Sequence, residues 1–252
     1  MQKPNISFFF PAFYDEGTII EMVEEAREVL AEVTTNYEVI IVNDGSLDET
    51  GDIADQMSEK YPEVKAIHHQ FNLGYGAALK TGFAACQYDW IFYTDGDHQF
   101  DIHELKDLLP YINDYDMIAG YRKTRAYDNK KIRSFTSSIY NIFIKLIFGL
   151  KYKDLDCAFK LMKRDVVRNS KDFIDSAFIC AILFFEAKKN GHKIKQIPVS
   201  HYQRKYGSSS SFSFLFIIKS IVELFEAIWN VKYREKVYLK RQKTMLKKLD
   251  KK

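Results

Sequence analysis

Short apolar runs alternate with helix-patterned segments through the first half of the chain, and this rhythm constrains the fold more than any other feature. Strands are expected at Ile6–Phe10, Tyr37–Val42, Val64–His68, Trp90–Thr94 and Asp116–Ala119. Between them, Thr18–Val33, Asp48–Lys60, Gly76–Cys86 and Ile102–Ile112 carry the pattern of helices, and the second of these starts with acidic residues, as the helix dipole favours. The order β-α-β-α-β predicts an α/β fold, a mainly parallel sheet with helices on both faces. Open sheets of this kind bind ligands outside the carboxyl ends of their strands. The residues just after each run are therefore where chemistry is expected.

After Gly120 the rhythm changes. Tyr121–Arg133 holds six Lys/Arg and one Asp and reads as a loop. Helices are expected at Ile139–Phe148 and Ala177–Lys189. Ile194–His201 reads as a strand, and its Pro198 predicts an edge position, since proline cannot donate to a ladder. Lys205–Ser211 is a Gly/Ser loop. Phe212–Val231 has 14 apolar residues of 20, but Lys219, Glu223, Glu226 and Asn230 form one polar stripe. Charges at the centre of a membrane span cost about 2.5–3.5 kcal/mol each, so the segment reads as an amphipathic helix rather than a span. Its apolar face is expected either on the domain or in a membrane interface. The expected division is a catalytic domain over 1–211, then helix and basic tail over 212–252.

Charge is distributed unevenly. The net value is +3, yet residues 232–252 hold ten basic and two acidic residues, +8, leaving −5 for the rest. A basic tail on an acidic body points to an anionic surface as partner. The acidic body, with no nucleic-acid module in the sequence, argues for a membrane surface rather than nucleic acid. Three scattered cysteines, Cys86, Cys157 and Cys180, fit a reducing compartment and no disulfide framework. No signal peptide is read at the start, so a cytoplasmic location is expected.

The motifs sit where the sheet places them. Trp90-Ile-Phe-Tyr-Thr-Asp95-Gly96-Asp97-His-Gln99 is a strand run ending in two carboxylates around one glycine. Such a pair suits a hard divalent cation, Mg²⁺ or Mn²⁺, and its diphosphate; an ordinary acidic turn has the same residues. Asn43-Asp44-Gly-Ser46-x-Asp48 ends the second strand. Its carboxylate suits a ribose hydroxyl or a base N–H, and the segment suits equally a turn with a helix cap. Pro11-Ala-Phe13-Tyr14-Asp15-Glu16-Gly17 offers an aromatic ring and an acid to a nucleoside. The glycines of Asn72-Leu-Gly74-Tyr-Gly76-Ala-Ala-Leu-Lys80-Thr-Gly82 lack Walker A or dinucleotide spacing and read as turn and close-packing residues. His98, beside the carboxylates, reads either as a metal neighbour or, the favoured reading, as an exposed loop histidine, and His68, His69, His192 and His201 read as structural.

Taken in order, these motifs resemble the family 2 glycosyltransferases of GT-A fold, above all the dolichyl- and polyprenyl-phosphate mannosyl- and glucosyltransferases, over roughly residues 5–211. The resemblance implies inverting transfer of a hexose from a nucleotide sugar, of GDP-mannose or UDP-glucose type, with Mg²⁺ or Mn²⁺. By position, it assigns Pro11, Tyr14, Glu16 and Asp44 to the nucleoside. It assigns Asp95, Asp97 and Gln99 to the metal and diphosphate, with Gly96 between them on the donor side. Gly120-Tyr-Arg122 and Arg133-x-x-x-Ser137 match residues that grip the acceptor phosphate, with Arg133 and Ser137 one helical turn apart. Arg204-Lys-Tyr-Gly-Ser matches a loop closing over the diphosphate, so Arg204 joins the catalytic set. Asp154-Leu-Asp156-Cys-Ala-Phe-Lys160 matches a further box, which reads equally as a turn and buried strand.

The resemblance implies a polyprenyl-phosphate acceptor and an enzyme peripheral to the cytoplasmic face of a membrane. A rival within the family uses a glycan hydroxyl, with Asp154 or Asp156 as base. Three positions depart from the pattern: Gly96 replaces an alanine, Ala158 a glycine, and Ile182 an acid.

Overall fold

The computed structural model describes residues 3–123, 149–168, 179–204 and 206. Its sheet has seven strands: β1 (Ile6–Ala12), β2 (Tyr37–Asn43), β3 (Val64–His68), β4 (Trp90–Tyr93), β5 (Met117–Arg122), β6 (Lys160–Lys163) and β7 (Ile194–Val199). The order across the sheet is β3-β2-β1-β4-β6-β5-β7. β1, β2, β3 and β4 run parallel, β6 is antiparallel to both β4 and β5, and β5 pairs parallel with β7.

Every residue of β1 is buried. A central parallel strand covered on both faces needs a continuous apolar run, which Ile-Ser-Phe-Phe-Phe supplies. Its one polar residue, Ser7, donates to Glu38 at 2.6 Å, and Lys65 completes the pair with Glu38 at 2.7 Å. Pro11 is tolerated because β4 pairs with β1 only as far as Phe9 and Tyr93.

Helices α1 (Ile19–Val33), α2 (Thr50–Lys60) and α3 (Tyr75–Ala85) follow the first three strands. α1 buries Met22, Val23, Ala26, Val29 and Leu30, the stripe that its spacing requires. On α3, Gly82 is packed so close to β1 that an added Cβ would lie 2.2 Å from a ring carbon of Phe9. Helix propensity alone favours alanine over glycine by about 1 kcal/mol. Here overpacking against a fully buried ring wins, so Gly82→Ala is expected to lose about 1–3 kcal/mol in denaturant unfolding; a gain in stability would contradict this packing.

Several expectations are met and some corrected. Pro198 lies on β7, the sheet edge. Tyr121 and Arg122, expected in a loop, instead end β5, because they pair with Pro198 and Val199. The single helix expected at Ile102–Ile112 is a short helix α4 (Leu105–Leu108) between two 3₁₀ turns, with Pro110 in the second. A short helix α5 (Arg164–Arg168) follows β6, and α6 (Ile179–Lys189) precedes β7. The expected helices at 139–148 and 212–231, the tail, and Arg133 and Ser137 lie outside the described residues. No helix among the described residues is long and apolar enough to cross a membrane.

Candidate active site

The carboxyl ends of β1, β2 and β4 meet at one edge of the sheet. Thr18, just before α1, joins two of the connections: its hydroxyl donates to the Gly96 carbonyl at 2.7 Å. Gly96 is buried between the two carboxylates. A Cβ there would lie 2.4 Å from the Pro11 carbonyl oxygen and 3.3 Å from Asp15 Oδ2. The turn after β4 is thus pressed against the loop after β1, and Asp15, not the exposed Glu16, is the acid of that loop facing Gly96.

Three carboxyls crowd this point, and two hold their protons unusually well. Burial first, and the charge of Asp97 second, push Asp95 up to about 7; the Tyr75 hydroxyl, which donates to Oδ1 at 2.9 Å, opposes the rise. Asp15 is pushed up to about 6, again by burial, against the opposing hydrogen bond from the Phe13 N–H. Asp97 is buried, and its Oδ2 accepts from Arg204 Nη2 at 2.6 Å. These are hard oxygen donors under mutual repulsion, a set that a divalent cation would relieve. The residues present fit Mg²⁺ or Mn²⁺, and the Arg204 guanidinium supplies positive charge at Asp97.

The nucleoside candidates divide. Tyr14 stands out from the loop, 44% exposed, with left-handed backbone (φ 57°), and its N–H donates to Ser46 Oγ at 3.2 Å. Its ring is available to a base. Asp44 is buried and accepts three bonds: from His69 at 2.7 Å, from the Leu73 N–H at 2.9 Å and from the Gly74 N–H at 2.8 Å. An ionised carboxylate has about four acceptor sites. Asp44 therefore organises the 73–74 loop first and has about one site left for a ligand. His69, read as structural, reaches Thr81 through its other nitrogen at 2.8 Å. Glu16 accepts from the Glu49 N–H at 3.0 Å and so supports the start of α2.

Gln99 is used as a clasp. Its Nε2 donates to the Tyr202 carbonyl at 2.8 Å, and its own carbonyl accepts from the Tyr202 N–H at 2.8 Å. This ties Tyr202 to the turn after β4, where Arg204 meets Asp97. Tyr206 packs on Gly17, whose added Cβ would lie 2.8 Å from the ring.

On the opposite side, Arg122 forks onto Asp154: Nε to Oδ2 at 2.7 Å and Nη2 to Oδ1 at 2.8 Å. Asp154 is buried, so the fork holds β5 to the segment before β6. Lys160, fully buried on β6, donates to the Cys157 carbonyl, and its ammonium lies 5.3 Å from the Tyr93 ring centre. Its charge is among those drawing Asp95 down.

His98 corrects the reading of an exposed loop histidine. Its side chain is only 9% exposed and lies against α1. Asp15 and Tyr75 lie within motifs quoted above but were given no role there; the signal for Asp15 was its place two residues before the helix-starting Gly-Thr.

Known proteins share this fold. Mycobacterium tuberculosis glucosyl-3-phosphoglycerate synthase, in complex with Mn²⁺, uridine diphosphate and phosphoglyceric acid, superposes with a TM-score of 0.63 at 14% identity, covering 90% of this chain and 78% of that one. The fold is therefore that of the GT-A glycosyltransferases. Glycosyltransferase AglD of Haloferax volcanii is 28% identical over 202 residues, 77% of this chain and 32% of that protein. The undecaprenyl-phosphate 4-deoxy-4-formamido-L-arabinose transferase of Photorhabdus laumondii is 27% identical over 225 residues, 88% of this chain and 67% of that protein. The chain thus spans about a third of the first relative and two thirds of the second. The model of glycosyl transferase family 2 matches residues 7–170, with every strand tip described above from β1 to β4 inside the match, and the chain belongs to that family.

Proposed function

We propose that this glycosyltransferase catalyses inverting transfer of a hexose from a nucleotide sugar, of GDP-mannose or UDP-glucose type, to a polyprenyl or dolichyl phosphate. The observation that carries the reading is the Asp95/Asp97 pair, crowded and partly dehydrated at the strand tips. With Gln99 contributing its amide oxygen, these residues would hold Mg²⁺ or Mn²⁺, which when bound neutralises charge on the departing nucleoside diphosphate. Pro11, Tyr14 and Asp44 face the nucleoside, while Glu16 acts through α2. Arg122, Arg133, Ser137 and Arg204 form the grip on phosphate. Arg204, paired with Asp97, would supply positive charge to the diphosphate.

The chemistry of Asp154, one of the two candidate bases, supports the phosphate acceptor. A glycan hydroxyl needs a base, but a carboxylate forked by arginine is a poor one. A lipid phosphate is already ionised near neutral pH and needs only positioning. Similarity to an undecaprenyl-phosphate transferase supports the same choice. The segment 212–252 brings the site to the cytoplasmic face of the membrane through its basic residues.

The test is product analysis with short polyprenyl phosphate, Mn²⁺ or Mg²⁺, and a panel of labelled nucleotide sugars. Label passing into the organic phase from one donor is the expected result. Turnover with soluble glycans and none with the lipid would refute the acceptor. A second expectation concerns Asp44→Asn, which weakens a charge-assisted bond worth about 1.5–3 kcal/mol. Donor KM should rise about 10- to 100-fold with kcat little changed; calorimetry with the nucleoside diphosphate checks it.

A further inference from the structure

Behind the Asp95/Asp97 turn, on the side facing α1, stands a second group of potential ligands. Glu21 and Glu25 are one helical turn apart on α1, and His98 from the turn lies against both. One donor atom from each of the three falls within 4.8 Å of the others. His98 is 91% buried, counting from its 9% exposure, and held in the left-handed region at φ 55°.

The hydrogen-bond chemistry of the ring is what points to a ligand. Glu25 Oε2 lies 2.9 Å from Nε2. An ionised carboxylate only accepts, so Nε2 carries the hydrogen and, in the neutral ring, Nδ1 presents a lone pair. Nδ1 is buried without a hydrogen-bond partner. What it faces is Glu21 Oε2 at 3.4 Å, a second acceptor. Two acceptors facing one another are relieved by a positive charge between them, supplied either by a proton on Nδ1 or by a metal ion. In a tetrahedral site with bonds of about 2.1 Å, neighbouring ligand atoms are separated by about 3.4 Å. The Glu25 contact to Nε2–H is the carboxylate–histidine support that metal-bound imidazoles require.

We propose that His98 Nδ1 and Glu21 are the protein ligands of a second metal site, separate from the Asp95/Asp97 donor site, for a borderline-soft divalent cation of the Zn²⁺ class, with Glu25 holding the imidazole through its Nε2–H. Imidazole with a carboxylate favours such an ion over Mg²⁺. Its role is to fasten the turn bearing Asp97 to α1, so it holds the donor-side carboxylates in place without touching substrate.

Co²⁺, a coloured substitute for Zn²⁺, provides the test on the full chain. Titration followed by visible absorption should show one site with tetrahedral-type bands in the wild type. The bands should persist in Asp95→Asn and weaken at least tenfold in affinity in Glu21→Gln and in His98→Asn. Asparagine tolerates the left-handed backbone at position 98, and circular dichroism verifies folding. Zn²⁺ should raise the melting temperature of the wild type and of Asp95→Asn but not of Glu21→Gln. If the wild type gives no such bands, or if Glu21→Gln binds Co²⁺ as the wild type does, the site is a protonated histidine between two glutamates and the proposal fails.

Discussion

Asp95→Asn is expected to abolish sugar transfer while making the ligand-free protein more stable. On the reading of the site proposed above, losing one carboxylate of the pair removes the hold on the cation, and kcat should fall about 10³-fold or more. Stability moves the other way because Asp95 holds its proton more tightly folded than unfolded. The native state then binds more protons than the unfolded state, so stability falls as pH rises from the ordinary carboxylate value of 3.8 toward about 7. Asp15 adds to the same slope up to about 6. Asparagine cannot ionise, so the variant escapes its share of the loss. A gain of about 1–2 kcal/mol, or roughly 2–8 °C in melting temperature, is expected at pH 7.5 in chelator. It should vanish at pH 4. Added Mn²⁺ should narrow the gap by stabilising only the wild type. Melting curves across that pH range decide the matter: a variant less stable than wild type at pH 7.5 would mean that the two carboxylates do not strain the site.

Gly96→Ala should be the most damaging single methyl in the donor site. Alanine is the residue that the resembled family pattern implies between the two carboxylates, so the change looks harmless on paper. In this chain the new Cβ would lie 2.4 Å from the Pro11 carbonyl oxygen. That neighbour is backbone in the middle of the sheet and has no rotamer to yield. The turn must move instead, carrying Asp95 and Asp97 with it and breaking the 2.7 Å bond from Thr18. Overpacking of this kind costs about 1–3 kcal/mol. A displacement near 1 Å at reacting groups costs about 10²-fold in rate. The expected result is a kcat/KM loss of that order with a cooperative, slightly lower melting transition. Full activity in Gly96→Ala would show that the loop after β1 can retreat.

The parts of this molecule that local pattern dictates were open to reading in advance. β1, β2 and β4 each combine an apolar run with an acidic or Asn/Asp tip, and the helices between the strands carry one buried stripe, so both element type and the site's edge followed from spacing. Pro198 marked the sheet edge for the same local reason. What resisted was set by distant contacts. Lys160–Lys163 is a strand only because it fits antiparallel between β4 and β5; four residues with a lysine at either end have no strand signal of their own. The fork between Arg122 and Asp154, the clasp of Gln99 on Tyr202 and the burial of His98 against α1 join residues 32, 103 and 73 positions apart. No window along the chain contains both halves of such a pair. The same gap explains why Glu16 drew notice ahead of Asp15: both fit the motif, and only the fold decides which one faces Gly96.

The sheet order has a consequence for synthesis on the ribosome. β3, β2, β1 and β4 are complete once Tyr93 has emerged, so the nucleotide-facing half can assemble early as a contiguous piece. Its open flank is then β4, the strand Trp-Ile-Phe-Tyr, whose covering partner begins at Lys160. At about 5–20 residues per second that flank waits for several seconds, an unpaired apolar edge of the kind that recruits other chains. The interval between those two strands is the stretch of translation in which this protein most needs a chaperone's protection.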